Sequence, residues 1–345
     1  VSQLNYYVTG NTAEGFINYL NSNLKDIEKI VVLKHESNKV KTKVIRNLLN
    51  HFDENMTIEV LLSPLGEKYL DGIIVREKSL AFISNRISLP DLNPIEFDLT
   101  DYLSETSSQD SEKAKQTFKS LTEESYEQFA QGLKIHDELE SIYVNEMNFE
   151  RADEIANEFI NDLFTDINKK ENTSTIYKRL FGTNTPEGAV NIVPELLSSI
   201  NHAYFIKGRA GTGKSTFMKK VLAVCKDLGF DIEVYHCSFD PKSIDMVLVR
   251  ELSFCIFDST DPHEFFPEKE GHKVIDMYEE TVTPGTDEKY ADKIASVTSH
   301  YKSYMKKGIA LLKEADQSLE KIEDKYVLTK EMEGKIVNEV LRQIS

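Results

Sequence analysis

Ala203 to Leu222 reads AYFIKGRAGTGKSTFMKKVL. Its first four residues are an apolar strand, its middle a Gly-rich turn, and its end a helix. Gly208-Arg209-Ala210-Gly211-Thr212-Gly213-Lys214-Ser215 fits G-x-x-x-x-G-K-[ST], the pattern of a phosphate-binding loop. Gly208, Gly211 and Gly213 permit positive φ angles and a close backbone approach that side chains would block. Such a turn gathers successive N–H groups into an anion nest, and the following helix adds its N-terminal dipole. Lys214 is expected to reach the β- and γ-phosphates from a solvent-facing position, and Ser215 to hold Mg²⁺. Thr216 follows in the first helical turn and completes the nucleotide-binding set.

Outward from this stretch, composition sets the limits. A chain of 345 residues suggests two domains. With 40% hydrophobic and 29% charged residues it reads as globular, and no apolar run is long enough to span a membrane. The first residues, VSQLNYYVTG, lack the basic region and apolar core of a signal peptide. Cys225, Cys237 and Cys255 make no disulfide framework, so a reducing cytoplasm is expected. A net charge of −17 argues against nonspecific nucleic-acid binding.

The chain also repeats itself. Asn11-Thr12-Ala13-Glu14-Gly15, with Asn18 beyond it, returns as Asn184-Thr185-Pro186-Glu187-Gly188 with Asn191, at an offset of 173 (184 − 11). The same offset carries Lys34 onto Lys207, Lys41 onto Lys214 and Thr42 onto Ser215. Asp71, Val75, Arg76, Glu77 and Ser79 return as Asp245, Val249, Arg250, Glu251 and Ser253, at 174 (245 − 71). Ile155, Asn157 and Glu158 return as Ile336, Asn338 and Glu339. A tandem duplication follows, with its boundary in the polar run from Lys170 to Thr175.

The copies have diverged unequally. His35, Asn38 and Val40 stand where the second copy has Gly208, Gly211 and Gly213. A β-branched Val adopts left-handed backbone only at a cost. The first copy therefore keeps a Lys and a hydroxyl but loses the cradle, and reads as a helix start with solvated lysines. Its Arg46 or Arg76 is a candidate arginine finger for the other copy's phosphates.

Downstream in the second copy, Ile232 to His236 reads as a strand whose end carries His236, Cys237 and Asp240. Leu62, Ser63 and Gly66 stand there in the first copy, so those polar groups disappeared together with the glycines. A metal site from His236, Cys237 and His263 is conceivable, although the spacing fits no zinc pattern. Met246 to Val249 and Leu252 to Phe257 are further strands, and the second ends on Asp258. An apolar strand ending in Asp after a phosphate loop is a Walker B pattern, with the carboxylate on Mg²⁺. Ser84 replaces it in the first copy. Arg250 and Glu251, kept in both copies, suggest an ion pair at the turn. Asp240 or Glu264 would orient the attacking nucleophile.

Each copy ends in long helices. Tyr290, Ile294, Val297, Tyr301, Tyr304, Ile309, Leu312, Leu319 and Ile322 recur at coiled-coil spacing, and Phe118, Leu121, Phe129, Leu133, His136, Leu139 and Ile142 repeat the pattern. Each run spans about 45 Å as a helix. It would serve as a layer on its own sheet or as an arm for a protein partner. Shorter helices follow, Arg151 to Phe164 and Lys330 to Ile344.

Thr185 to Gly188, Tyr204 to Lys220, Tyr235 to Asp240 and Asp258 to His263 together make the chain resemble bacterial tandem P-loop ATPase-like proteins, a family of unassigned physiological role. The resemblance spans essentially the whole chain and implies two P-loop domains and nucleotide binding. The expected fold is α/β, two tandem P-loop NTPase-type three-layer domains, each with a long helical appendage. Residues 1–172 would be a degenerate pseudo-domain and 173–345 the nucleotide-binding domain. The expected function is ATP binding with slow, Mg²⁺-dependent and partner-controlled hydrolysis. Lys214, Asp258, Asp240 and Glu264 would be its catalytic groups, and Ser215 and Asp258 its metal ligands. A small-molecule or nucleotide kinase uses the same loop, and a non-hydrolysing nucleotide-sensing scaffold is the third possibility.

Overall fold

Runs of apolar residues too short for helices pair into two sheets with the same topology. The computed structural model describes residues 2–52, 55–106 and 111–344. The first sheet holds β1 (Ser2–Tyr6), β2 (Lys29–Lys34), β3 (Thr57–Leu62), β4 (Leu70–Val75), β5 (Leu80–Ser84) and β6 (Ile95–Asp98), ordered β1-β3-β4-β5-β2-β6. The second holds β7 (Ile176–Leu180), β8 (His202–Lys207), β9 (Ile232–His236), β10 (Ile244–Val249), β11 (Phe254–Asp258) and β12 (His272–Asp276), ordered β7-β9-β10-β11-β8-β12. Every pairing is parallel except those of β4 and β10, which run against both neighbours. The protein is thus α/β, with two six-stranded mixed sheets flanked by helices.

Helix α1 (Asn38–Leu49) follows β2 and covers one face of the first sheet, burying Val40, Val44, Ile45 and Leu48. Long helix α2 (Ser111–Val144) and α3 (Phe149–Phe164) come next. In the second half, α4 (Lys214–Asp227), α5 (Ala291–Glu323) and α6 (Lys330–Arg342) repeat the plan. The terminal helices are exchanged. Ala156 and Phe164 of α3 are buried with Tyr204, Phe217 and Phe254 of the second half. Ile336, Val337 and Val340 of α6 are buried with Val31, Val44 and Leu48 of the first. Each repeat thus finishes its apolar layer with the other's last helix, which an α-helix with one apolar stripe requires of some partner.

The two long arms pack antiparallel on each other. Leu139 and Ile142 of α2 meet Val297 and Ile294 of α5, and Ala114 and Phe118 meet Leu319 and Ile322 at the opposite end. Close approach at the middle depends on glycine. A Cβ on Gly308 would come within 2.7 Å of the Phe129 ring, and one on Gly132 within 3.3 Å of Tyr304. The coiled-coil stripes are therefore satisfied inside the chain. Among the described residues, no helix is long and apolar enough to cross a membrane.

The repeated Asn-Thr-x-Glu-Gly motif is where the halves touch. It forms a hairpin turn in each, with Gly15 at φ +87 and Gly188 at φ +128. Asn11 Nδ2 donates to Asn184 O at 2.9 Å, and Asn184 Nδ2 donates to Asn11 O at 3.0 Å. A residue and its own copy bonding reciprocally is the signature of a two-fold, self-complementary interface. Nearby, the fully buried Arg179 reaches Glu233 at 2.8 Å and Glu59 at 3.5 Å, with its guanidinium 3.4 Å from the centre of the Tyr6 ring.

This network corrects two expectations. Arg250 pairs with Glu233, whereas Glu251 binds Lys170 at 2.6 Å, so there is no Arg250–Glu251 ion pair at the turn. Arg76 is held by Glu59 at 2.7 Å and stacks on Tyr177, while Arg46 donates to Lys68 O at 3.5 Å. Arg76 is thus committed to structural contacts and not to the phosphates, whereas Arg46 is exposed and its contact is long.

Candidate functional site

The loop from Gly208 to Gly213 joins β8 to α4. Gly211 and Gly213 lie at φ +76 and +80, where side chains are strained. Gly208 has no such angle, and its glycine is required by space, because a Cβ there would strike Thr212 Oγ1. Thr212 is buried and staples the turn: Arg209 N donates to Thr212 Oγ1 at 3.1 Å, and Thr212 Oγ1 donates to Arg209 O at 2.8 Å. Arg209 itself is tied down by Asp287 at 2.8 Å and stacks on Tyr278. Ala210 packs beside Ile142 and Tyr143 from the last turns of α2. Among the described residues, no side chain caps α4, whose N-cap is Gly213.

Lys214 is only 8% exposed, so the expected solvent-facing lysine is corrected to a buried one. Its Nζ donates to Arg209 O at 2.6 Å and lies 3.6 Å from Asp258 Oδ2. The amine thus lies folded back on the loop. Ser215 Oγ accepts from Ile244 N at 3.0 Å, and Thr216 is exposed on the helix. Asp258 ends β11, directly beside β8, and takes a hydrogen bond from Thr260 Oγ1 at 2.6 Å. Loop, lysine, hydroxyl and strand-end carboxylate are therefore brought together. The hydroxyl and carboxylate oxygens make a donor set that suits Mg²⁺, a hard cation.

The two nucleophile-orienting candidates separate. Glu264 is paired with Lys207 at 3.2 Å. Asp240 uses Oδ1 to hold its own turn, accepting from Lys242 N at 3.1 Å, and acts electrostatically on Asp245 and Glu140. Asp245 was not distinguished by the sequence beyond its place in the repeat. Burial, and then Asp258 beside it, push its carboxyl up to about 7. Glu140, from the arm α2 of the first half, is also raised by burial and feels Lys214. A Cβ on Gly211 would come within 2.8 Å of Glu140 O and 2.9 Å of Val144, so the arm seals this side of the loop.

His236, Cys237 and His263 do not gather. His236 Nδ1 faces Pro241 O at 2.8 Å, His263 Nδ1 faces Asn191, and burial with Asp245 raises the Cys237 thiol. Among the described residues, the one cluster of three or more His, Cys, Asp or Glu side chains spaced to hold a metal ion is His136, Asp137 and Glu140 on α2. The proposed His-Cys-His site is thereby corrected.

The matching site in the first half is filled from within. Without glycines, residues 38–40 wind into the first turn of α1, which starts three residues before Lys41. Ser37 caps it, accepting from Val40 N at 3.0 Å. Glu323, the last residue of α5, is 2% exposed and takes bonds from Asn38 N at 2.8 Å, Lys39 N at 3.1 Å and the Ser37 hydroxyl. Lys41 is not solvated as expected. It is 2% exposed and donates to Asn85 Oδ1 at 2.7 Å, and burial followed by Arg86 lowers it to about 8. Comparison with family models, with curated proteins and with solved structures found no match to this chain.

Proposed function

We propose that the second half binds a nucleoside triphosphate, taken as ATP, with Mg²⁺, and hydrolyses it slowly. One observation carries the reading. Two left-handed glycines open the start of α4, and a lysine and a carboxylate converge there, while the same position in the first half is closed by a protein carboxylate. An uncapped helix start ringed by backbone N–H groups favours an anion of phosphate geometry. Lys214 would exchange its bond with Arg209 O for the β- and γ-phosphates. Ser215 and Asp258 would hold Mg²⁺, which supplies charge neutralisation between the phosphates. Asp240 is favoured over Glu264 for orienting the nucleophile, because Glu264 is committed to Lys207. In a kinase the same carboxylate would face an acceptor hydroxyl.

The contact of Glu140 and Val144 with Gly211 favours a second component, communication between loop occupancy and the arms. That is the part of the reading in which a partner would control turnover. Isothermal titration with ATP and GTP, each with and without Mg²⁺, tests the proposal. Binding of one Mg-nucleotide per chain is expected, and absence of heat with either nucleotide sinks it. Phosphate release without an added acceptor separates hydrolysis from kinase chemistry. Tight binding without turnover would leave the nucleotide-sensing role.

A further inference from the structure

Asp71 and Asp245 occupy the same place on β4 and β10, yet their surroundings are opposite. Asp71 is 2% exposed and fully neutralised. The Arg86 guanidinium spans both its oxygens, with Nε 3.1 Å from Oδ1 and Nη2 on Oδ2, and the Thr9 hydroxyl donates at 2.9 Å. Arg86 also reaches Ser63 Oγ at 3.3 Å. In the second half both partners, and the serine that holds Arg86, have changed. Thr260 stands for Arg86, Gly182 for Thr9 and Cys237 for Ser63. Asp245 is 6% exposed, has the weak Cys237 thiol as a donor, and feels Lys214 at longer range. Among the described residues, no cationic side chain forms an ion pair with it.

Register adds a second charge. Met246 pairs with Phe257 on the antiparallel ladder between β10 and β11. One step beyond, Asp245 and Asp258 are cross-strand neighbours on one face. Like charges placed directly opposite are destabilising, and a buried carboxylate without a counter-charge is costly. In the first half the neighbour is Ser84, so only one carboxylate is present there and a guanidinium answers it. Lys214 Nζ, 3.6 Å from Asp258 Oδ2, answers one of the two carboxylates and leaves the second, Asp245, without an ion pair beside the Ser215 hydroxyl.

We propose that Asp245 and Asp258 together hold a divalent cation, Mg²⁺ or Mn²⁺, in the place that the Arg86 guanidinium fills in the first half. The ion would sit there before any nucleotide arrives, with water completing its octahedron. This deepens the metal part of the proposed function, and its test needs no nucleotide.

The test is electron paramagnetic resonance of Mn²⁺ added to the nucleotide-free protein, where bound ion leaves the free-ion signal. Wild type is expected to hold one Mn²⁺ per chain with a dissociation constant below about 1 mM. Asp245→Asn should weaken that site at least tenfold while melting at or above wild type in chelator. Thr260→Arg, which imports the first half's cation, should remove the site and raise the melting temperature. If Thr260→Arg fails to fold, Asp245→Asn decides alone. No Mn²⁺ bound by wild type, or equal binding by Asp245→Asn, overturns the inference. Nucleotide titration of Asp245→Asn in chelator then shows separately whether the phosphate loop still binds.

Discussion

At the start of α1 a buried carboxylate sits on the backbone amides, and at the start of α4, among the described residues, none does. The two helix starts descend from one pattern, with Lys41 and Lys214 at the same place. Their difference teaches that losing the glycines does not by itself settle such a helix start. The freed amides and the lysine still need partners in a dry interior. Glu323 answers the amides, Asn85 answers Lys41 and Arg86 answers Asp71. The first half carries its own anion and cation, whereas among the described residues the second has no carboxylate on its helix-start amides and no guanidinium on Asp245.

The largest effect that could break this comparison is on turnover. Lys214→Ala should lower hydrolysis by roughly 10²- to 10³-fold, the range for removing one charge-stabilising donor. Nucleotide affinity should also fall in the titration. The fold should survive with a loss of about 1 kcal/mol, since one buried hydrogen bond goes. Unchanged affinity would remove the phosphate loop from the site.

Asp258→Asn should next shift the Mg²⁺ dependence of turnover to higher concentration more than it weakens nucleotide binding. A magnesium titration of the variant checks this, and a wild-type curve would give the strand-end carboxylate another role.

Glu323→Ala sharpens the comparison from the other side. It strips the acceptor from Asn38 N and Lys39 N, and a buried unsatisfied donor costs about 1–3 kcal/mol. Urea unfolding should show that loss, while nucleotide stoichiometry stays at one. A second bound equivalent in this variant would mean that Glu323 alone, and not the missing glycines, closes the first site.

Lys41 supplies a pH test. Its ammonium sits at about 8 in the folded protein and at the ordinary 10.5 unfolded. Below 8 both states are charged and the folded protein carries the full burial cost. As pH rises from 8 to 10.5 the unfolded chain holds the extra proton, so the folded protein gains relative stability. The stability difference between wild type and Lys41→Met should therefore move in favour of wild type over that window. A flat difference would mean that the lysine is solvated. The smallest effect is on function. Lys41→Ala should leave affinity and turnover within about twofold, roughly 0.4 kcal/mol. A loss like that of Lys214→Ala would break the comparison outright.

Much of this was legible in residues a few positions apart. G-x-x-x-x-G-K-S places φ demands and a lysine within eight residues, and the strand before it is written in consecutive apolar side chains. The duplication, the lost glycines and the change from Asp258 to Ser84 were likewise readable, because each compares one position with its copy. Asp245 was visible as a repeated Asp, but its isolation was not, since it depends on Gly182, Cys237 and Thr260 arriving from three separate segments.

What local pattern determined was the presence of two α/β units and which of their loops keeps its glycines. Tertiary structure alone decided that α3 and α6 change sides, that the arms satisfy each other's apolar stripes, and that Glu323 reaches Asn38 across 285 residues. An apolar stripe states only that a helix must be covered, and any matching stripe lowers its free energy equally well. A buried Glu states only that donors must surround it. Which stripe and which donors are chosen depends on the path of the whole chain, and that path exists only once both halves have folded against each other.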